Sequence, residues 1–254
     1  MTRPGRRRSG RSTPGRNLSP GSVLGISYLI GSVPVANLAS KALKGVDLRD
    51  VGNGTVSGTG LYSVAGFAPL AVAGCLELAK GAAGPLIAGR GRPMLRAACA
   101  GAAVTGHNWS PLLRFSGGRG LSVAMGALLA VAPEGSALIG AGLGIGRIVG
   151  ETGLSSFAAV AVLPLVLYRT RGRPGAATGM FLVIPIVAKR LAGNGRPEKT
   201  AARVYLNRLL FDSDTRGVGF PAGEPSDRVD VREASGWMMG DRHEQRDPTP
   251  ATNR

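Results

Sequence analysis

Eight stretches without an Asp, Glu, Lys or Arg follow one another through the middle of this 254-residue chain, at 17–40, 51–76, 81–89, 97–113, 120–133, 135–146, 152–168 and 174–188. A bilayer span needs about 20 mostly apolar residues, with a lower limit of roughly 17. The first two stretches meet that length as they stand, and the later ones reach it with their flanks. A soluble protein can bury one uncharged helix. It cannot find water-facing sides for a whole series joined only by short connectors of Arg, Lys, Pro or Gly. The pattern predicts an all-α, polytopic integral membrane protein with about seven transmembrane helices.

Charge distribution supports this and divides the chain. Charged residues make up 18% of the sequence, below the roughly 25% of an ordinary globular domain. Positions 23–188 hold only five acidic groups against 13 basic ones, too few to coat a soluble surface. Three regions follow: a basic, flexible tail at 1–22, a transmembrane domain at 23–192, and a polar, largely disordered tail at 193–254. The first tail carries six Arg and no acid. Attraction to anionic headgroups, at about 1 kcal/mol per Arg near the surface, and a solvated arm without a partner both remain open for it. Nucleic acid is not expected as a partner, because no aromatic residue is interleaved with those arginines to stack a base. A signal peptide with its apolar core at 23–30 is set aside, since no small-x-small cleavage site follows. Within the second tail, 201–211 is an amphipathic stretch suited to a membrane face.

Two cysteines exclude a disulfide scaffold, and two distant histidines without a CxxC argue against zinc. No zinc site is expected. Gly140, Gly142, Gly144 and Gly146 lack the GxGxxG order of a nucleotide loop. Gly140 and Gly144 share one helix face and are expected to let two helices approach closely.

Chemistry therefore falls to the polar loops. The segment TGHNWSPLLRFSGGRGLS at 105–122 ends one helix and opens the next. Backbone N–H groups of Gly117, Gly118, Arg119 and Gly120 at a helix start can form an anion nest, and the guanidinium of Arg119 can grip phosphate. A Gly-rich turn with a topology-setting Arg is the blander reading, and His107 and Trp109 at short offsets upstream favour the first. A second loop, DLRDVGNGTVSGTGLYS at 47–63, alternates glycines with Asn53, Thr55, Ser57 and Thr59, suited to close approach by a polar ligand. Glu77 and Lys80 stand one turn apart inside an apolar stretch, either as a structural ion pair or as part of a site.

These residues give the chain its resemblance. YLIGSVPVANLASKALKGVDLRDVGNG at 28–54, ELAKG at 77–81 and GHNWSPLLRFSGGRG at 106–120 resemble the opening, the Asp-x-x-Lys-Gly and the Gly-Gly-Lys-Gly loop of the bacterial acyl-phosphate:glycerol-3-phosphate acyltransferases. The likeness runs from about residue 23 to 193. It implies a seven-helix enzyme of the bacterial plasma (inner) membrane that moves a fatty acyl chain from acyl phosphate to the 1-hydroxyl of glycerol 3-phosphate. The product is lysophosphatidate for phospholipid synthesis, and no cofactor takes part. It also implies that the loops near Asp47, Arg119 and Glu151 face the cytoplasm with the C-terminus. The Arg-rich N-terminal arm and Arg169, Arg171 and Arg173 would then lie outside, against the positive-inside count.

The chain departs from the family pattern in three places. In the first loop Asn53, Thr55 and Gly60 replace Ser, Asn and Asn, and Ser63 stands where the family has Arg. In the second loop Arg119 replaces Lys. The third loop is reduced to Lys189, Arg190, Leu191 and Gly193, without its His and Asn. The resemblance implies that His107 and Arg119 are catalytic and that Gly117, Gly118, Arg119 and Gly120 hold phosphate. Asn53, Gly54, Thr55 and Thr59 orient the glycerol. Either His107 or the leaving phosphate takes the hydroxyl proton, and Arg49 or Arg114 stands in for the lost Arg. A catalytically degenerate paralogue that binds lipid or partners is the second reading. A small transporter is the third, although no internal repeat supports it.

Overall fold

The computed structural model describes residues 18–52, 54–194 and 201–214. Among them there is no strand, and nine α-helices follow in order. They are α1 (Pro20–Ser32), α2 (Val35–Lys44), α3 (Gly58–Ala65), α4 (Phe67–Ala88), α5 (Pro93–Asn108), α6 (Leu121–Val131), α7 (Pro133–Val149), α8 (Thr152–Ala192) and α9 (Ala202–Phe211). Three stretches, 20–44, 67–88 and 152–192, are long and apolar enough to cross a membrane by length and composition. α1 and α2 are one such stretch interrupted at Pro34, which has no N–H to continue the ladder. The 41-residue α8 is two limbs, because Gly172 at φ 65 and ψ −150 breaks the helical path.

The second uncharged stretch, 51–76, is not a span. It holds an irregular loop, the short α3 and the first half of α4. The span it feeds, α4, continues through Glu77 and Lys80 to Ala88. Both charges are tolerated because both are buried and paired.

Packing is set by small residues, though not at the predicted pair. A Cβ on Gly31 would lie 2.1 Å from the Ala103 carbonyl oxygen, and one on Gly106 2.1 Å from that of Tyr28. These positions bring α1 against α5. Gly81 and Gly126 do the same for α4 and α6, with 2.0 Å to Val123 and Leu78 carbonyls. Gly140 meets only a methionine methyl at 3.5 Å, and Gly144 meets nothing within 4 Å. The close face of α7 is Gly142 and Gly146, shifted by two residues, where a Cβ would reach Ala159 and Thr152 of α8. Around these contacts Val104, Val123, Leu128, Ile139, Leu163 and Leu182 form the main apolar core. Tyr62, Phe67, Val72, Leu86 and Ile148 project outward, as lipid-facing residues must.

Contacts separate two ends. At one, Arg92 reaches the Leu18 carbonyl, Arg96 bridges the carbonyls of Pro85 and Ala130, and Arg171 grips Glu134. At the other lie the loops after α2, α5 and α7, the end of α8, and α9. The polar C-terminal region thus begins as a docked helix. Asn207 and Arg208 are buried on α8, and Leu206 points outward.

Candidate functional site

Pro34 fixes the first part of the site. By breaking the helix it frees the Val33 carbonyl, which accepts a hydrogen bond from Lys80 Nζ at 2.7 Å. Lys80 Nζ lies 2.8 Å from Glu77 Oε2 and 3.1 Å from His107 Nδ1. Glu77 Oε2 is 3.2 Å from the same ring nitrogen. The pair read from the sequence is therefore a triad that includes His107. Its third member sits on the last turn of α5, one helix away.

The second loop is folded over that histidine. Tyr28 donates to the Trp109 carbonyl (2.8 Å), Ser110 to the Ser32 carbonyl (2.6 Å) and Asn108 Nδ2 to the Pro185 carbonyl (2.9 Å). Arg114 and Phe115, at φ 51 and 65, turn the chain back. Gly117 then donates its N–H to the Asn108 carbonyl, so this amide is spent on the fold rather than on a ligand. A Cβ on Gly117 would stand 2.0 Å from the His107 carbonyl oxygen. One on Gly118 would stand 2.3 Å from His107 Nε2 and 2.4 Å from the Val56 carbonyl. Close packing on His107 demands both glycines. The N–H groups of Gly118, Arg119 and Gly120 meet no backbone carbonyl among the described residues. Gly120, at φ 77, caps α6.

Arg119 is held on both sides. Its Nη1 donates to the Lys189 carbonyl at 3.2 Å, and its Nε lies 2.7 Å from Asp212 Oδ1. Lys189 Nζ in turn donates to the Phe115 carbonyl at 3.2 Å and stands 5.5 Å from the Trp109 ring centroid. Arg190 donates to the carbonyls of Gly153 and Leu209 and to Ser156 Oγ. Lys189 and Arg190 are each 1% exposed, the largest fully buried side chains among the described residues.

The first loop is only partly brought in. Asn53 lies outside the described residues. Gly54, at φ 68, offers its carbonyl to Asn194 Nδ2 at 2.9 Å, and the same nitrogen reaches the Gly117 carbonyl at 3.0 Å. Asn194 therefore ties the first loop to the second. Thr55 is buried beside Val56. Thr59 is exposed in the first turn of α3, whose N-cap is Ser57. Ser63 is exposed and donates to the Gly60 carbonyl. Arg49 does not replace the missing arginine. It is committed to Asp47 through Nε (3.0 Å) and Nη2 (2.7 Å), and with Lys41 it holds the Asp47 carboxyl far below its usual range. Arg114 is exposed. The cation that reaches the second loop is Lys189, signalled in the sequence only by the KRL remnant at 189–191. No group of three potential metal ligands occurs among the described residues.

Known proteins resemble this arrangement over most of its helical part. The family model for glycerol-3-phosphate acyltransferase matches residues 22–194. The chain belongs to the glycerol-3-phosphate acyltransferase family. A member from Desulforudis audaxviator is 32% identical over 202 residues, which cover 76% of this chain and 93% of that protein. "Glycerol-3-phosphate acyltransferase 2" of Moorella thermoacetica is 40% identical over 109 residues, 42% of this chain and 56% of its own length. The crystal structure of PlsY (YgiH), an integral membrane glycerol 3-phosphate acyltransferase in its glycerol 3-phosphate form, superposes with a TM-score of 0.62. It has 26% identity and covers 68% of this chain and 88% of PlsY. The acyltransferase family thus accounts for α1 to α8, and α9 lies beyond the matched residues.

Proposed function

We propose that this chain transfers a fatty acyl group from acyl phosphate to the 1-hydroxyl of glycerol 3-phosphate, releasing lysophosphatidate and inorganic phosphate. Membership of the family supports the reaction class. The observation that carries it to this site is the glycine loop closed over His107 with Arg119 beside it. In the reaction the hydroxyl oxygen attacks the acyl carbonyl carbon and the carbonyl becomes a tetrahedral oxyanion. The bond from carbon to the phosphate oxygen then breaks, and the electron pair leaves on phosphate. Arg119 and the amides of Gly118 and Gly120 hold that phosphate as charge moves onto it. Preorganised donors in such a place contribute a rate factor of about 10² to 10³ each.

Nδ1 of His107 faces both Lys80 Nζ at 3.1 Å and Glu77 Oε2 at 3.2 Å, and Nε2 is the nitrogen against Gly118. We read His107 as protonated on Nε2, a hydrogen-bond donor to the developing charge and not a base. The hydroxyl proton accordingly passes to the departing phosphate. Asn53, Gly54, Thr55 and Thr59 orient the glycerol, and holding both substrates together removes the entropic cost of their encounter. The acyl chain lies among the helices, in lipid. The protein sits in the bacterial inner membrane with seven crossings: α1–α2, α4, α5, α6, α7 and the two limbs of α8. The glycine loop faces the cytoplasm. Purified protein supplied with a long-chain acyl phosphate and labelled glycerol 3-phosphate should form lysophosphatidate with no added metal. Absence of that product from well-folded protein would leave the degenerate paralogue as the better reading.

A further inference from the structure

The helix outside the family match ends on the most important cation of the site. α9 is anchored by buried Arg208, which donates to the Ala192 carbonyl at 3.0 Å and to the Asp214 carboxylate. Arg190 holds the Leu209 carbonyl at 2.9 Å. Gly153 packs onto the backbone of Phe211, where a Cβ would meet the carbonyl oxygen at 2.5 Å. Straight after this helix Asp212 adopts φ 58, and its carboxylate reaches Arg119. Asp is among the few residues that tolerate this left-handed conformation.

A guanidinium offers two edges for a two-point grip, Nε with Nη2 and Nη1 with Nη2. The Asp212 carboxylate stands 2.7 Å from Nε, beside the first edge but without a hydrogen bond to it, and Nη1 donates one hydrogen to the Lys189 carbonyl. A phosphate gripping Arg119 through Nε and Nη2 meets the Asp212 carboxylate already beside that edge. Of these two neighbours of Arg119, Asp212 is the anion, it is 27% exposed at its side chain, and like charge drives it from the incoming dianion. The Lys189 carbonyl belongs to a buried helix.

We infer that Asp212 is an affinity-setting residue, a carboxylate carried by α9 that fills the phosphate position on Arg119 and is displaced by the phosphate group of a substrate. The inference rests on reading Arg119 as a phosphate grip. Acyl phosphate and glycerol 3-phosphate share the chemistry that Asp212 would contest, and separate Michaelis constants tell them apart.

The direction of the effect tests it. Inorganic phosphate titrated calorimetrically into the purified full chain should bind about tenfold tighter to Asp212→Asn than to wild type, a lost competition with one charge-assisted, partly exposed contact. Asp212→Glu should stay near wild type. In turnover, Asp212→Asn should lower KM for whichever substrate phosphate displaces the carboxylate, with kcat held within about twofold, the pattern of relieved ground-state competition. If Asp212 only aims Arg119 or braces α9, phosphate binds Asp212→Asn equally or more weakly, and the inference falls. Should Asp212→Asn fail to fold, Ser213→Cys in a Cys75→Ser background gives the second measurement. Phosphate should speed its labelling by a soluble maleimide, and an unchanged rate overturns the proposal. Absence of lysophosphatidate from wild type would defeat the acyltransferase reading, while the sign of the phosphate titration would still decide the role of Asp212.

Discussion

Arg119 carries the largest expected effect of any single side chain. Arg119→Ala should lower turnover about 10²- to 10³-fold with membrane insertion intact, and Arg119→Lys should keep part of the activity, because Lys retains charge but not the fork. If Arg119 served only to set topology, turnover per correctly inserted molecule would be the same in all three proteins. His107 gives a second test through its pH profile. A histidine base would impose an acid limb on kcat/KM. A histidine that only donates imposes none, so His107→Ala should lower the rate and leave the shape of the profile unchanged. A limb that vanishes with the histidine would restore the base assignment. Arg119, His107 and the glycines beside them were legible in the sequence, because their spacing on one loop is fixed by the chain itself. The roles of Lys189, Asn194 and Asp212 were not. Each reaches the site across at least 70 residues of chain or from a helix outside the family pattern. Only the fold makes these residues neighbours.

Among the elements, helix existence followed from the missing charges, and helix contacts did not. Gly140 and Gly144 have the right spacing, yet the rotation of α7 turns Gly142 and Gly146 toward α8. Rotation is set by the partner helix, which a single-helix pattern does not describe. Gly81→Ala should therefore destabilise the bundle by about 1–3 kcal/mol or more through overpacking against a backbone carbonyl. Gly144→Ala should be neutral or stabilising by up to about 1 kcal/mol, as for an open helical glycine. Thermal unfolding in detergent, followed by size exclusion, separates the two, and equal losses would contradict the assigned faces. The stretch at 51–76 misleads for another reason. Absence of charge marks a lipid-compatible segment only where the chain is also helical, and its glycines and hydroxyls build a loop. That loop carries a pH signature. Arg49 and Lys41 hold the Asp47 carboxyl below its ordinary 3.8. A carboxyl depressed in the folded state contributes its full stability above that value and loses it as pH falls through the lower folded value. Amide protection around 47–50 should therefore persist at pH 4 and fail only in stronger acid. Loss already at pH 5 would mean that the pair is not formed.

At the scale of the whole molecule, the two ends of the bundle carry the orientation. Arg90, Arg92 and Arg171 lie with Glu134 at the end opposite the glycine loop, so positive charge alone would turn the protein over. In a Cys75→Ser background, an impermeant maleimide added outside intact cells should label Gly91→Cys and spare Asp50→Cys, both at exposed positions. The reverse pattern would place the site outside. The central claim is that an altered first loop and a shortened third loop still leave a working centre around Arg119. The most direct measurement is the rate at which purified wild-type protein releases inorganic phosphate from a long-chain acyl phosphate, with and without glycerol 3-phosphate. Release should depend on glycerol 3-phosphate, match lysophosphatidate one for one, and fall at least about 10²-fold in Arg119→Ala. Release that ignores glycerol 3-phosphate, or that is equal in wild type and Arg119→Ala, would contradict it.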